Sequence, residues 1–389
     1  MRALMLGWEY PPHIAGGLGT ACHALTRALA AQGEDLLFGV PQRHGDEPAA
    51  HMDLRGAGEA GLGRGMPCGA GAPSPYAGAG GAHGPGGRPA LLEAVGRYGE
   101  AVARLAAGAR FDVVHAHDWM TFAAGAAAAQ RAGVPLVAHV HSLEQDRSPA
   151  APDPHIAAVE RQGLAQAQRV LCVSDYAARC VQAACAVPGG RLRVVRNALP
   201  ALPRGRRPSR RRPGPVVLAL GRVTAQKGPL LLLEAARRVV EADPRVHFVL
   251  AGDGDLLPQA IELSATLGLA RHVHFTGFLR GREVERAYAE ADLFVMPSVS
   301  EPFGLVALEA AARGLPVVLS QAAGVREVLP SALCVPPGDA AALAERILRV
   351  LRRPALARRL ARQGAREARV RRWPDVAREV RAAWAEARA

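Results

Sequence analysis

Short apolar runs alternate along the whole chain with longer segments whose apolar positions recur with helical spacing. The short runs predict buried strands, and the longer segments predict helices that cover them. In the first half we expect helices over 19–32, 91–107, 121–132 and 156–167 and strands near 3–6, 36–40, 113–117, 136–141, 169–174 and 192–195. In the second half we expect strands near 216–220, 247–251, 273–275, 293–297, 317–319 and 333–335.

This alternation predicts an α/β fold with two parallel sheets, each covered by helices on both faces. We therefore expect two Rossmann-like, doubly wound domains. Because such sheets bind ligands at the carboxyl ends of their strands, the two domains are expected to face a central cleft. The predicted boundaries are 1–200 for the first domain, 201–214 for an Arg- and Pro-rich linker, and 215–372 for the second domain.

Residues 55–90 interrupt the pattern, because they consist mostly of Gly, Ala and Pro. Such a segment cannot bury enough apolar surface to offset the entropy of ordering. We interpret it as a mobile insertion in the first domain.

The composition narrows the class of protein. The chain has 389 residues, 49% of them apolar, without an apolar run of bilayer length or a signal-peptide pattern, which favours a soluble, cytoplasmic protein. The six cysteines lack metal-ligand spacing and are expected to be reduced core residues. The net charge of +13 suits anionic small molecules or an acidic membrane surface as partners. Nucleic acid is not expected, because the few aromatic residues are not interleaved with the arginines.

Lysine occurs once in the sequence, at Lys227, although Lys and Arg together number 48. A site that needs a compact ammonium against a phosphate cannot accept the wide guanidinium fork of arginine. The segment "LGRVTAQKG" (220–228) puts Arg222 and Lys227 directly after a predicted strand, where a ligand would bind. The alternative is that Lys227 is an ordinary helix-cap lysine that survived by chance.

The first predicted strand is followed by "GWEYPPHIAGGLG" (7–19). About ten residues separate the strand from Gly16 and Gly17, which is too many for the tight turn of a dinucleotide fingerprint. We interpret the glycines as a loop that brings backbone N–H groups and a helix N-terminus to an anionic ligand. The alternative is a plain turn and cap.

Two histidine pairs lie at predicted strand ends, in "VVHAHDW" (113–119) and "VAHVHSLEQDR" (137–147). His115 and His117, like His139 and His141, project to one face of their strand. Such pairs can bind zinc, but neither has a clear third ligand nearby in sequence. We expect one histidine of each pair to support the backbone, and the other, with Asp118, to point into the cleft.

The second domain also contains "MPSVSEPFGLVALEAAARG" (296–314), in which Glu301 precedes a predicted helix that carries Glu309 two turns inside. Both could be ordinary helix residues. Glu309, however, lies in an apolar run, where an unpaired charge is costly unless it accepts hydrogen bonds, for example from a ribose diol. The Asp-x-Asp of "GDGD" (252–255) could hold a metal, but a turn is the favoured interpretation.

Together these motifs and "RRWPDVAREV" (371–380) resemble the retaining glycosyltransferases of the two-domain GT-B fold, family 4 (group 1), in the glycogen-synthase-like branch. The resemblance covers nearly the whole chain outside 41–90. It implies transfer of a hexose, most simply glucose, from an ADP-, UDP- or GDP-sugar to a hydroxyl of a glucan, saccharide or lipid. It implies retention of configuration and no metal or other cofactor. It also implies that residues 373–389 form a helix that returns to the first domain.

The resemblance assigns roles in the second domain. Arg222 and Lys227 would bind the donor diphosphate and stabilise the leaving group, Glu301 the transferred sugar and Glu309 the ribose. The backbone amides near the donor would be those of Phe303, Gly304 and Leu305.

In the first domain, His141 would contact the sugar, Asp118 would lie near the acceptor, and Gly16 and Gly17 would cover the donor. Three alternatives remain: a degenerate sugar-nucleotide-binding module, a sugar-nucleotide epimerase of the same fold, and a pyridoxal-phosphate phosphorylase, for which Lys227 is the one candidate for a Schiff base.

Overall fold

The structure is a computed structural model that describes residues 1–14, 16–57, 87–199 and 214–389. The chain divides into two compact units. Unit 1 comprises Met1–Gln145, Ala151–Pro200 and Arg372–Ala389, and unit 2 comprises Asp146–Ala150 and Ala201–Arg371. The final segment of the chain therefore belongs to unit 1.

Unit 1 is built on a seven-stranded sheet in which every neighbouring pair is parallel. Its strands are β1 (Arg2–Leu6), β2 (Asp35–Val40), β3 (Asp53–Gly56), β4 (Val113–His117), β5 (Leu136–Val140), β6 (Arg169–Cys172) and β7 (Leu192–Val194). Its helices include α1 (Gly17–Ala30), α2 (Gly87–Ala107), α3 (Trp119–Ala132), α5 (Pro154–Gln166) and α6 (Asp175–Cys185), and the short α4 (Glu144–Arg147) lies where the chain passes between the units. The strand order is β3-β2-β1-β4-β5-β6-β7, so the direction of winding reverses between β1 and β4.

Unit 2 has a six-stranded parallel sheet. Its strands are β8 (Val216–Leu220), β9 (His247–Ala251), β10 (Val273–Gly277), β11 (Leu293–Met296), β12 (Val317–Ser320) and β13 (Leu333–Val335). Its helices are α7 (Pro229–Ala242), α8 (Leu257–Thr266), α9 (Arg282–Glu290), α10 (Leu305–Ala312), α11 (Ala340–Leu351) and α12 (Pro354–Glu367). The order β10-β9-β8-β11-β12-β13 reverses between β8 and β11, which is the arrangement of a Rossmann fold.

The central strands are continuous apolar runs because both faces of each sheet are covered. All residues of β4, β5, β11 and β12 are buried. In unit 2, side chains from β8 and β9 pack with those of α7 and α11, among them Phe248, Leu233 and Ile347. Burial of this kind fixes where each strand ends, and thereby positions the loops that follow the strands.

The last helix, α13 (Trp373–Arg388), packs on α1 in unit 1. It buries Trp384 completely, and its Glu386 carboxylate accepts hydrogen bonds from Arg169 and Arg193 at 3.2 and 3.0 Å. None of the described helices is long and apolar enough to cross a membrane.

The strands expected from the apolar runs are all present, within a few residues of the expected bounds. Two boundaries of the expected insertion differ from the structure. Arg55 and Gly56 pair with Gly39 and Val40 of β2, and residues 87–90 form the start of α2. Residues 58–86 of the insertion and 201–213 of the expected linker lie outside the described residues.

Candidate active site

The loop after β8 carries Arg222 and Lys227 at the switch point of unit 2. A single 3-10 turn, Ala225–Lys227, connects this loop to α7. Gly228 follows with φ +65°, and a Cβ atom there would lie 2.6 Å from the carbonyl oxygen of Pro297. Only glycine allows so close an approach in this conformation. The loop after β8 is thereby pressed against the loop after β11.

This approach brings together two of the predicted residues. The Lys227 ammonium donates a hydrogen bond to Oε2 of Glu301, and the two side chains are 22% and 9% exposed. The backbone of Glu301 is fixed as well, because its N–H donates to Ala322 and its carbonyl accepts from Gly324, both at 2.9 Å. The carboxylate thus holds the ammonium in a defined place rather than at a mobile surface.

Arg222 is oriented by a residue that the sequence did not single out. Its guanidinium donates to Oε1 of Gln226 at 2.9 Å, and Gln226 is buried. The carbonyl of Gln226 accepts from the N–H of Val299 at 2.9 Å, which ties it to the loop after β11. Its position within "TAQKG" is the only signal in the sequence for this role.

A pocket opens where β8, β9 and β11 end. Its lining combines an apolar floor, including Leu250 and Val295, with Arg222 and Lys227. Ser298 also lines it, and its buried Oγ has no hydrogen-bond partner among the described residues. Two cationic side chains and a hydroxyl group at the switch point of a parallel sheet form a site suited to a phosphate-bearing ligand.

The segment after Glu301 turns sharply into α10. Gly304 has φ +107°, and a Cβ atom there would lie 2.6 Å from Cε of Met296. Phe303 is buried, and its carbonyl accepts from Val325 at 2.8 Å. Since α10 begins at Leu305, its first N–H groups have no acceptor within the helix. Those groups are the donors expected near a bound ligand.

Glu309 lies one turn after the first residue of α10, not two as expected, because the helix begins at Leu305. Its Oε2 accepts from the hydroxyl of Tyr288 at 3.2 Å and lies 3.8 Å from Nη1 of Arg313. Burial raises the pKa of the Glu309 carboxyl, and Arg313 and Tyr288 offset part of the rise. Glu309 is not among the residues that line the pocket of Arg222 and Lys227.

The "GDGD" segment forms a turn in the structure. Gly252 has φ +148°, and a Cβ atom there would lie 1.8 Å from the carbonyl oxygen of Gly221. The Asp253 carboxylate accepts from the N–H of Gly254 at 2.8 Å, and the Asp253 carbonyl accepts from Val223 at 2.9 Å. Neither aspartate belongs to a group of possible metal ligands in the described part of the chain. The segment therefore packs against the loop after β8 that carries Arg222.

In unit 1, Asp118 joins the ends of β4 and β5. Its Oδ1 accepts from the N–H groups of His141 and Ser142 at 2.7 and 3.3 Å, and its own N–H donates to His139 at 3.0 Å. Asp118 is almost fully buried and has φ +59°. We expected the Asp118 side chain to point toward a ligand. In the structure its carboxylate instead holds the segment that carries His141. A role toward the acceptor stays a prediction.

The four histidines of β4 and β5 form a ladder of imidazoles. We expected one histidine of each pair to support the backbone, but in the structure the imidazoles of the two pairs contact each other across the strands. His117 Nδ1 lies 3.0 Å from Nε2 of His141, and His115 Nε2 lies 3.3 Å from Nδ1 of His139. Trp384 of α13 donates its indole N–H to Nδ1 of His115 at 3.2 Å. Only His141 is partly exposed.

The ladder is electrically neutral at neutral pH. Burial lowers the pKa of all four imidazoles. The neighbouring imidazoles lower the pKa of His115, His117 and His139 further, whereas the Asp118 carboxylate offsets part of the effect on His141. His141 is therefore a neutral hydrogen-bonding group at the end of a buried array.

The glycine loop of unit 1 ends where α1 begins. Gly16 is the extended N-cap residue, and Gly17 is the first residue of the helix. Oε1 of the nearly buried Glu9 accepts the N–H of Gly19 at 3.1 Å, so a carboxylate already occupies one of the helix N-terminal donors. Glu9 was not expected from the sequence, because its partner lies ten residues away across the loop.

Two family models match the chain. "Glycosyltransferase Family 4" matches residues 15–201, and "Glycosyl transferases group 1" matches residues 206–367. The chain is 33% identical over 375 residues to a glycogen synthase from Mycobacterium tuberculosis, covering 93% of this chain and 89% of the relative.

Two solved structures have a similar fold. Sucrose-phosphate synthase from Thermosynechococcus elongatus has a TM-score of 0.76 and 23% identity over 98% of this chain and 97% of that one. The catalytic domain of starch synthase IV from Arabidopsis thaliana, bound to ADP and acarbose, has a TM-score of 0.73 and 14% identity over 99% of each chain.

Two Rossmann-ordered parallel sheets, with a charged pocket at the switch point of the second, define a two-domain α/β enzyme of the GT-B fold. The chain belongs to the group 1 glycosyltransferases and is of the glycogen-synthase-like kind.

Proposed function

We propose that the protein transfers a hexose, glucose in the simplest case, from a nucleoside diphosphate sugar to an acceptor hydroxyl, with retention of configuration and without a metal ion. The observation that carries this proposal is the contact between Lys227 and Glu301 beside the pocket that Arg222 lines. An ammonium, a guanidinium and a carboxylate at one strand edge match a diphosphate and the hydroxyls of a sugar.

In the proposed reaction, the donor diphosphate takes the place of Glu301 as partner of Lys227. Lys227 and Arg222 then offset the charge that develops on the leaving oxygen, which is the task that a metal ion performs in other enzymes. Glu301, released from Lys227, accepts hydrogen bonds from the transferred sugar. The Ser298 hydroxyl, which has no partner among the described residues, adds a donor to the phosphate side.

The remaining assignments complete the proposal. Glu309 binds the ribose if it exchanges its contact with Tyr288 for the diol. The amides of Phe303, Gly304 and Leu305 face donor oxygens. Residues 215–372 bind the donor.

The first domain, residues 1–200, serves the acceptor side. There, His141 contacts the sugar and Asp118 holds the His141 loop.

The comparisons support a glucosyl donor. The mycobacterial relative is a glycogen synthase, and the plant starch synthase structure is bound to ADP and acarbose. They leave ADP, UDP and GDP as candidate nucleotides and a glucan, saccharide or lipid as candidate acceptors.

The test is a panel of ADP-, UDP- and GDP-hexoses with glucan and monosaccharide acceptors, in which nucleoside diphosphate release is measured with and without EDTA. We expect release with at least one donor, dependent on acceptor, undiminished by EDTA, and an α-linked product from an α-linked donor by NMR. Interconversion of two sugar nucleotides without release would instead identify an epimerase. Binding of a donor without turnover on any acceptor would identify a non-catalytic module.

A further inference from the structure

Two groups of possible metal ligands in the described part of unit 1 share His117. One consists of His115, His117 and His139, and the other of Cys22, His117 and His141. Within each group the candidate ligand atoms lie within 4.8 Å of one another. The hydrogen bonds of the histidine ladder decide between them.

An indole N–H can only donate, so Trp384 requires a lone pair on Nδ1 of His115. The one proton of this neutral imidazole is therefore on Nε2, and it points to Nδ1 of His139. His139 in turn accepts on Nδ1 and carries its own proton on Nε2. Neither ring has a free lone pair for a metal, which excludes the first group.

His117 and His141 are not constrained in this way. They share one proton between Nδ1 of His117 and Nε2 of His141, 3.0 Å apart, and either ring can be the donor. Nε2 of His117 is buried and has no hydrogen-bond partner among the described residues. Such an unsatisfied nitrogen costs on the order of 1–3 kcal/mol. A cation that replaces the shared proton would bind Nδ1 of His117 and Nε2 of His141, the two nitrogens that face each other.

Cys22 completes the second group. It lies on α1 with 1% exposure, and its Sγ is the third ligand atom of the group. His141, the partly exposed member, offers a route of entry from outside.

A thiolate and two imidazoles are the ligands that zinc prefers, at about 2.3 Å from sulfur and about 2.0–2.1 Å from nitrogen. A tetrahedral ion at those distances sets two nitrogens about 3.3 Å apart, close to the present spacing of His117 and His141. Each ring keeps its one proton on the nitrogen that does not face the metal, and the Cys22 thiol releases its proton to solvent. Three protein ligands leave the fourth position to water.

We propose that Cys22, His117 and His141 form a binding site for a soft divalent cation of the zinc type, and that occupation of this site inhibits transfer by withdrawing His141. The inhibitory part rests on the proposed function, in which His141 contacts the sugar. The metal here is an inhibitor and not a cofactor, since the proposed transfer uses Lys227 and Arg222 for the leaving group.

The test uses Co²⁺ as a spectroscopic probe and Zn²⁺ as the inhibitor. The full-length protein should bind one Co²⁺ with a thiolate-to-cobalt absorption band, and Cys22→Ala should lose the band and bind Zn²⁺ at least about tenfold more weakly. Cys334→Ala is the matched control, because it removes a partly buried thiol of unit 2 and should keep both properties. His141→Ala, a change at a partly exposed position, should also weaken Zn²⁺ binding at least about tenfold.

Thermal melting checks that each variant is folded. If Cys22→Ala is not folded, the Zn²⁺ affinity of His141→Ala decides the test. Zn²⁺ should suppress nucleoside diphosphate release by the wild type, and EDTA should restore it.

A cobalt band that persists in Cys22→Ala, or none in the wild type, overturns the site. Binding without inhibition of an active enzyme overturns the inhibitory role. If no donor is turned over while the Cys22-dependent band is present, the proposed function fails and the metal site stands.

Discussion

At the residue scale, the two glycines Gly228 and Gly304 explain why Lys227 and Glu301 meet. Each adopts a positive φ and each would clash if it carried a Cβ atom, with Pro297 and Met296 respectively. The loop after β8 can approach the loop after β11 so closely only because position 228 is glycine, and the positive φ of Gly304 turns the chain after Glu301 into α10. Lys227 therefore holds its ammonium at a fixed position, where the compact shape of this group matters.

We predict that Lys227→Arg folds normally and loses most of its transfer activity. Arginine keeps the charge, but its wide fork displaces the phosphates, and a displacement of about 1 Å can cost on the order of a hundredfold in rate. The measurement is donor turnover beside thermal melting. Arg237→Lys is the control, because it makes the reverse exchange on the exposed face of α7, where Arg237 pairs with Glu241. Wild-type turnover in Lys227→Arg would mean that the lysine is not required for transfer.

The sequence singled out Lys227 and Glu301, but it predicted neither their contact nor the partners of several other side chains. Glu309 was expected to need hydrogen bonds because it lies in an apolar run, yet nothing in the pattern pointed to Tyr288, which belongs to another helix. Gln226 and Glu9 were missed for the same reason. Their roles depend on loops that approach each other only in the folded sheet.

At the scale of elements, apolar periodicity identified the central strands because those strands are buried on both faces. It missed β3, whose four residues "DLRG" alternate between exposed and buried positions and pair only with β2 at the edge of the sheet. Periodicity also placed the histidine pairs on β4 and β5, but it did not predict which imidazoles contact each other. Those contacts depend on the register that sets His117 opposite His139.

The histidine ladder predicts a specific loss of stability in acid. The folded-state pKa values of its imidazoles are lowered by burial, while an unfolded histidine titrates near 6.5. As the pH falls below about 6.5, the unfolded chain takes up protons that the folded ladder cannot, so stability present above this value is lost at about 1.4 kcal/mol per pH unit for each histidine. The unfolding free energy of unit 1 should therefore fall steeply between pH 6.5 and the lowered folded values.

Tryptophan fluorescence measures this selectively, because all four tryptophans, Trp8, Trp119, Trp373 and Trp384, belong to unit 1. In urea titrations at several pH values, His139→Gln should reduce the pH slope by about 1.4 kcal/mol per unit. His155→Gln, at an exposed position on α5, should leave the slope unchanged. Equal slopes for the wild type and His139→Gln would show that the ladder is not the origin of the acid sensitivity.

At the scale of the whole molecule, the two sheets share a strand order around their switch points, and the candidate residues of each unit follow the strands beside that point. This much could be predicted from the alternation of strands and helices. Periodicity alone could not assign the last helix to a unit. That assignment came from the family resemblance, and in the structure it rests on the burial of Trp384 and the contacts of Glu386.

We predict that removal of α13, by ending the chain at Arg372, destabilises unit 1 and leaves unit 2 folded. The helix buries two tryptophans, and loss of one buried aromatic side chain alone typically costs about 3–5 kcal/mol, against about 5–15 kcal/mol for a whole domain. Removal also leaves Nδ1 of His115 without its donor. Fluorescence of Trp8 and Trp119 in urea should report a much earlier transition for unit 1, while hydrogen exchange in α7 and α11 of unit 2 should stay slow. A chain shortened only by Arg388 and Ala389, both exposed, is the control and should behave as the full-length protein. An unchanged unit 1 transition after removal of α13 would contradict the assignment of this helix to the core of unit 1.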